Sequence, residues 1–224
     1  MHIAIIGAGN VGGNLGMAAS AVGHHIVFGV RDPASAKARA AVEGVPGATA
    51  TDSQSAMDAA DLVVIALQWD VLPDILSALH VRDGLIVVDA TNRLITPRVG
   101  SAPSGGEEVA RLLPGARVVK AFNTIGAENL PSLRQRPSPA AGFLCGDDGE
   151  AKTLVGGLVK AIGFEPFDVG PLAMSGILEG MTRMWVGLSR THGRSIAYSI
   201  THAGSEPRAD LPEVREGGAK ERRA

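Results

Sequence analysis

Ile3-Ala4-Ile5-Ile6-Gly7-Ala8-Gly9-Asn10-Val11-Gly12 is the stretch from which the fold can be read. An apolar run of strand length leads directly into Gly7-x-Gly9-x-x-Gly12, and apolar residues then recur at Val11, Leu15, Ala18, Ala19 and Val22 with helical spacing. The order is strand, tight turn, helix. In that setting Gly7 allows the turn, Gly9 lets backbone approach a pyrophosphate, and Gly12 lets the helix pack closely on the strand. Unpaired N–H groups and the positive end of the helix dipole would hold the anion. A glycine turn chosen only for packing would leave the spacing unexplained.

Working outward, His25 to Val30 reads as a second strand, and Phe28-Gly29-Val30-Arg31-Asp32-Pro33 follows its end. An NAD enzyme usually places a carboxylate there for the ribose 2′-hydroxyl. Arg31 instead suits the 2′-phosphate of NADP, since a planar guanidinium can bond two phosphate oxygens. Asp32 could still reach a ribose hydroxyl, or could cap a helix starting near Pro33.

Further strands are expected at Ala48 to Ala50, Leu62 to Leu67, Leu85 to Asp89 and Ala116 to Lys120, with a helix near Ser53 to Ala60. Continuous apolar strands separated by helical stretches imply a parallel sheet covered on both faces. The expectation is an α/β fold: a Rossmann-type doubly wound parallel sheet of six strands with a small, mainly helical C-terminal part. The strand-end loops Leu67-Gln68-Trp69-Asp70, Ala90-Thr91-Asn92-Arg93 and Ala121-Phe122-Asn123-Thr124-Ile125-Gly126 should line the ligand crevice. Trp69 could instead pack on the following helix, and Asn92 and Asn123 could be turn residues bonding their own backbone.

Leu130 to Pro139 is rich in breakers and reads as a surface loop. A strand at Gly142 to Cys145, a helix at Glu150 to Ile162 and a strand at Phe164 to Val169 follow. Leu172 to Leu188 carries Met174, Ile177, Leu178, Met181, Met184, Trp185 and Leu188 at helical spacing, the pattern of core or a subunit interface. The chain divides into an NADP-binding domain over residues 1–169, a helical region over 170–203 and a polar tail over 204–224 with too little apolar surface to order itself.

With 45% hydrophobic residues, the 224-residue chain can bury an ample core. A net charge of −2 offers no electrostatic footprint for nucleic acid. The single Cys145 lies in apolar Phe143-Leu144-Cys145-Gly146, so no internal disulfide is possible and a buried small hydrophobe is expected. His2, His24, His25, His80, His192 and His202 show no metal-ligand spacing, so no metal is expected. The apolar start lacks a basic leader, and no run approaches the roughly 20 residues that span a bilayer. A cytoplasmic protein without nucleic-acid or membrane partners is expected.

Carbonyl reduction normally needs a positioned proton donor. The single tyrosine, Tyr198, has His202 rather than Lys four residues on, and Lys120 could serve as an acid, although a lysine ending a strand is more often a surface charge. A hydride acceptor needing little acid catalysis would explain this, with no catalytic side chain required.

Six stretches resemble the F420-dependent NADP reductases (NADPH:F420 oxidoreductases) and the related cytosolic domains of membrane metalloreductases. They are Ile6 to Gly12, Phe28-Gly29-Val30-Arg31, Gln68-Trp69, Val118-Val119-Lys120-Ala121-Phe122-Asn123-Thr124, Cys145-Gly146-Asp147-Asp148 and Asp168-Val169-Gly170-Pro171-Leu172. The resemblance spans about residues 1–203. It implies NADP(H), with coenzyme F420 or a flavin as second substrate, and commonly a homodimer. Gly7, Ala8, Gly9, Asn10, Val11 and Gly12 would serve the pyrophosphate, Val30 and Arg31 the 2′-phosphate, and Leu67, Gln68, Trp69 and Asn92 the ribose and nicotinamide side. Asn123, Thr124, Ile125, Gly170 and Leu172 would converge on one pocket where the two rings meet. Archaeal members carry Thr in the glycine turn and Ser before the Arg, where this chain has Ala8 and Val30 and so lacks two hydroxyl donors. The Lys-Ala-Phe-Asn-Thr run is closer to the metalloreductase domains. The function expected is hydride transfer between NADP(H) and F420 or another flavin-like acceptor; alternatives are an NADPH-dependent reductase of imines or other small substrates, and a non-catalytic NADP(H)-sensing module.

Overall fold

Alternation of side chains along the central strands sorts the core into two layers. In β1 (His2–Ile6), Ile3 and Ile5 join the same apolar cluster as Val64, Val88 and Val119, while Ala4 and Ile6 join Val63, Ile65, Val87 and Val118 on the other face. Each strand therefore has to be covered twice. The computed structural model describes residues 1–93 and 103–201.

After β1 come α1 (Asn10–Ser20), β2 (His25–Gly29), α2 (Ala36–Glu43), β3 (Thr49–Thr51), α3 (Ser53–Asp58), β4 (Leu62–Ile65), α4 (Leu72–Ser77) and β5 (Ile86–Asp89). They are followed by α5 (Gly105–Leu112), β6 (Arg117–Lys120), a 3-10 helix over Ala127–Gln135, β7 (Ala140–Gly146), α6 (Gly149–Ile162), β8 (Phe164–Asp168), a short 3-10 turn at Leu172–Met174 and α7 (Ser175–His192). The sheet order is β3-β2-β1-β4-β5-β6-β7-β8. It is parallel from β3 to β6, β7 runs antiparallel to β6, and β8 is parallel to β7. This is a Rossmann-type α/β fold. The order in which strands are added reverses between β1 and β4, where the crevice of such sheets opens.

One face is covered by α1, α6 and the 3-10 helix through Leu15, Val155, Val159, Leu130 and Leu133. The other is covered by α3, α4 and α5 through Met57, Leu72, Leu76, Val109 and Leu113. The sheet has eight strands rather than six, because the strands after residue 139 add to its edge through Val119↔Gly146 and Lys120↔Cys145. The stretch expected as a surface loop over residues 130–139 is instead mostly the 3-10 helix, since Leu130 and Leu133, three apart, are each 1% exposed and repeat at its pitch. The expected third strand lies at Thr49–Thr51, one residue on. No helix among the described residues is long and apolar enough to cross a membrane. The tail expected over 204–224 lies outside the described residues.

Candidate functional site

The three glycines of the turn are glycines for different reasons. Gly7 has φ +111, and a Cβ there would lie 2.5 Å from the Ala66 carbonyl oxygen. A Cβ on Gly12 would stand 2.0 Å from the Gly7 oxygen. Packing alone therefore demands both. Gly9 is the helix N-cap at φ −85, an ordinary conformation, and a Cβ there would approach only the Lys37 Nζ, at 3.8 Å. Nothing in the chain requires glycine at that position. Its missing side chain leaves open space over the first turn of α1, whose N-cap has no side-chain partner.

That space belongs to a cleft of about 810 Å³ lined by Gly7, Ala8, Gly9, Asn10, Val11, Leu67, Gln68, Trp69, Thr91 and Asn92, with Lys37 reaching in from α2. A second pocket of about 380 Å³ shares Gly7, Ala8, Leu67 and Lys37 with it and adds Val30, Arg31, Asp32 and Ser35. The structure thus gathers the residues expected on the cofactor side along one groove, with Gly12 just beneath it. Asp32 accepts from the Ala34 N–H at 2.9 Å in a turn, and Ser35, not Asp32, caps α2 through the Ala38 N–H at 3.3 Å. Lys37, one residue into the helix that Ser35 starts, is the cation sequence reasoning missed. Its signal was the helix start itself, which aims first-turn side chains at the preceding strand end.

At the far end of the groove, Asn92 Nδ2 donates to the Asn123 carbonyl oxygen at 3.2 Å, and Asn123 Nδ2 donates to Asn92 Oδ1 at 3.0 Å. These asparagines therefore hold each other rather than their own turns. Asn123 Nδ2 also reaches Thr182 Oγ1 of α7 at 3.1 Å, and Thr182 donates back to the Asn123 carbonyl oxygen at 2.9 Å. Phe122 is the single non-glycine at positive φ among the described residues, +64, and that turn carries the chain from β6 to Asn123. Asn123 Oδ1 and Trp69 Nε1 are buried without a protein partner, which ordinarily costs about 1–3 kcal/mol each. Arg93 lies over the Trp69 ring, 5.6 Å from its centroid.

Lys120 overturns the expectation of a surface charge. It is 0% exposed, with Nζ 2.7 Å from Asp89 Oδ2, 3.1 Å from Glu179 Oε1 and 2.9 Å from the Thr91 carbonyl oxygen. Burial works against its charge, but Asp89 and Glu179 outweigh burial and hold its pKa above the ordinary lysine value. Losing one member of such a cluster strands a charge, at a cost of about 3–5 kcal/mol. Cys145, buried under α7, has its thiol pushed up to about 12, chiefly by burial.

Thr124 is buried and Ile125 half-buried beside Asn123, and Trp185 packs onto Gly126, where a Cβ would meet its ring at 2.7 Å. Gly170 and Leu172 do not join this group. Because β7 and β8 run opposite to β6, the chain leaves β8 level with Gly146, and the Gly170 carbonyl oxygen accepts from the Gly146 N–H at 3.1 Å. Leu172 is 5% exposed and packs with Val109 and Val118 beneath the first turn of α5. None of Asn123, Thr124, Ile125, Gly170 and Leu172 is among the residues lining the two pockets, and Asn123 meets the groove only through Asn92.

The model of the family described as NADP oxidoreductase, coenzyme F420-dependent, matches residues 2–93. A protein from Arthrobacter sp. FB24 provisionally described as an F420-dependent NADP-reductase superposes with a TM-score of 0.77 at 25% identity, covering 89% of this chain and 99% of that one. Residues 2–93 thus match the coenzyme F420-dependent NADP oxidoreductase family. A hypothetical protein of Sinorhizobium meliloti is 34% identical, with a TM-score of 0.68 over 79% of this chain and 88% of that one. Metalloreductase STEAP3 of Rattus norvegicus is 30% identical over 179 residues, which are 80% of this chain and 36% of that protein. The chain thus spans about a third of the length of the curated relatives it matches. These likenesses are to NADP-dependent oxidoreductases, and the open backbone over Gly9 fits a dinucleotide pyrophosphate.

Proposed function

We propose that the protein transfers a hydride between NADP(H) and coenzyme F420 or a related flavin-like acceptor. The observation that carries the nucleotide half is Gly9, whose glycine serves no packing need and leaves room over a helix N-terminus. The first-turn N–H groups of α1 would hold the pyrophosphate, with Lys37 above it. Arg31 and Lys37 would hold the 2′-phosphate, in place of the hydroxyls that Ala8 and Val30 do not provide. Gln68, Trp69 and Asn92 would flank the ribose and nicotinamide, which supplies the transferable hydride.

The two candidate proton donors are both engaged elsewhere. Lys120 is tied to three acceptors, and Tyr198 donates its hydroxyl to the Met181 carbonyl oxygen at 2.8 Å. This favours an acceptor that needs orientation and exclusion of water more than acid catalysis. The acceptor side would rest on Asn123, Thr124 and Ile125 rather than on Gly170 and Leu172. A homodimer would use the outer face of α7, where Ile177 and Met184 are 46% and 52% exposed.

Oxidation of NADPH followed by absorbance, with F420, FMN and a panel of imines offered separately, tests the reading. Turnover with F420 or FMN is expected. Turnover with imines alone would establish the small-substrate reductase, and binding without turnover would establish the sensor.

A further inference from the structure

The Lys120–Asp89–Glu179 cluster is fully enclosed, and the hydride transfer proposed above gives none of its members a proton to move. Burying one ammonium with two carboxylates costs more than burying an apolar trio of the same volume, so its presence calls for a role. Its bonds show where that role falls. Lys120 holds the Thr91 carbonyl at 2.9 Å, and Asp89 Oδ1 holds the same residue by its N–H at 2.9 Å and its hydroxyl at 2.6 Å. Glu179 Oε1 takes the Gly105 N–H at 2.9 Å as well as the ammonium. Gly105 is where Trp69 closes in, since a Cβ there would meet its ring at 2.8 Å. Three residues beyond Glu179 on α7, Thr182 holds Asn123, and Asn123 holds Asn92. Both walls of one end of the groove, Trp69 on one side and Thr91–Asn92 on the other, are thus referred to a single ammonium. The Arg31–Lys37 end makes none of these bonds.

The geometry points to Lys120 as a positioning residue that sets the nicotinamide end of the groove and leaves the adenosine end untouched. This rests on the NADP(H) reading above. It acts by fixing the Thr91–Asn92 edge against Trp69, so that the nicotinamide ring contributes to affinity in a defined orientation.

The test compares, by calorimetry, NADPH with 2′-phospho-ADP-ribose, which has every phosphate but no nicotinamide. The variants are Lys120→Met alone and the combination Asp89→Asn, Lys120→Met, Glu179→Gln, which strands no charge and keeps the protein foldable if the single change does not. The unaltered protein should favour NADPH by about tenfold or more, the worth of one or two ring-end hydrogen bonds. The triple variant should bind 2′-phospho-ADP-ribose as before, within about twofold, and lose the preference for NADPH. A purely structural role would weaken both nucleotides together, and that result overturns the inference, as does a preserved preference. Failure of the triple variant to fold by circular dichroism overturns it too, making the cluster a folding determinant. If the unaltered protein binds neither nucleotide, the NADP(H) reading is what fails, and that is visible before any variant is made.

Discussion

At Gly9 the chain omits a side chain that its own backbone and neighbours would have accepted, and the ligand reading turns on that residue. Gly9→Val should leave the sheet folded, because no protein atom but the mobile end of Lys37 meets the new Cβ, yet it should abolish dinucleotide binding. Binding by calorimetry near the unaltered affinity would remove the pyrophosphate from this turn. Gly12→Val should behave differently and fail to fold, since its Cβ would collide with the Gly7 carbonyl. Arg31 tests the other end. Arg31→Ala should cost about 1.5–3 kcal/mol in NADPH binding, the worth of a hydrogen bond to a charged group, and little in NADH binding. Equal losses for both nucleotides would show that Arg31 reads no phosphate.

Among the elements, α5 is the one whose start is built most fully, and sequence reading passed over it. Ser104 accepts from the Glu107 N–H at 3.3 Å, Glu107 accepts from the Ser104 N–H at 2.8 Å, and the Ser104 hydroxyl also meets that of Ser175. This capping box starts the helix directly beside Trp69 and Glu179. Ser104→Ala should lower stability by about 0.5–2 kcal/mol in chemical denaturation; an unchanged midpoint would mean that Ser175 alone suffices. The 3-10 helix over 127–135 is a stronger case. Leu133 is 1% exposed, and Leu133→Ala should cost about 2–5 kcal/mol, where a residue of a surface loop would cost almost nothing.

At the scale of the whole molecule, alkaline pH probes how tightly the C-terminal elements close over β7. The Cys145 thiol lies under α7, and its pKa rises from 9.0 to about 12 on folding. The unfolded chain therefore loses this proton first, so the contribution to stability is intact below pH 9 and declines as pH rises from there toward 12. Denaturation midpoints measured across that range should fall, and the Cys145→Ala variant should show a shallower fall. Identical slopes would mean that the thiol is accessible in the native protein. Oligomeric state is the second property at this scale. Light scattering should give a dimer, and Met184→Lys, which places a charge amid the exposed face of α7, should shift it toward monomer. A dimer indifferent to that change would place the contact elsewhere.

How much of this was legible in the chain depends on how local the signal is. The first strand, the glycine turn, α1 and the apolar runs of β4 and β5 declare themselves, because period and turn chemistry act within a few residues. The place of Arg31 on the groove followed from its position after a strand, with no partner needed. Lys120 could not be read in the same way. A lysine at a strand end is a surface charge unless carboxylates from elsewhere enclose it, and its partners Asp89 and Glu179 are 31 and 59 residues away in sequence. The 3-10 helix over Pro131 was hidden because its breakers argue for a loop, while the burial of Leu130 and Leu133 is decided by α1 and α6 packing over them. Gly170 and Leu172 were misplaced for a topological reason, since nothing local reveals that β7 turns back along β6. The sequence by itself determined the doubly wound sheet and the glycine turn, through periodicity and backbone stereochemistry. Only the tertiary structure decided which charges are buried together and which loops share a wall, because those contacts join segments that carry no record of one another.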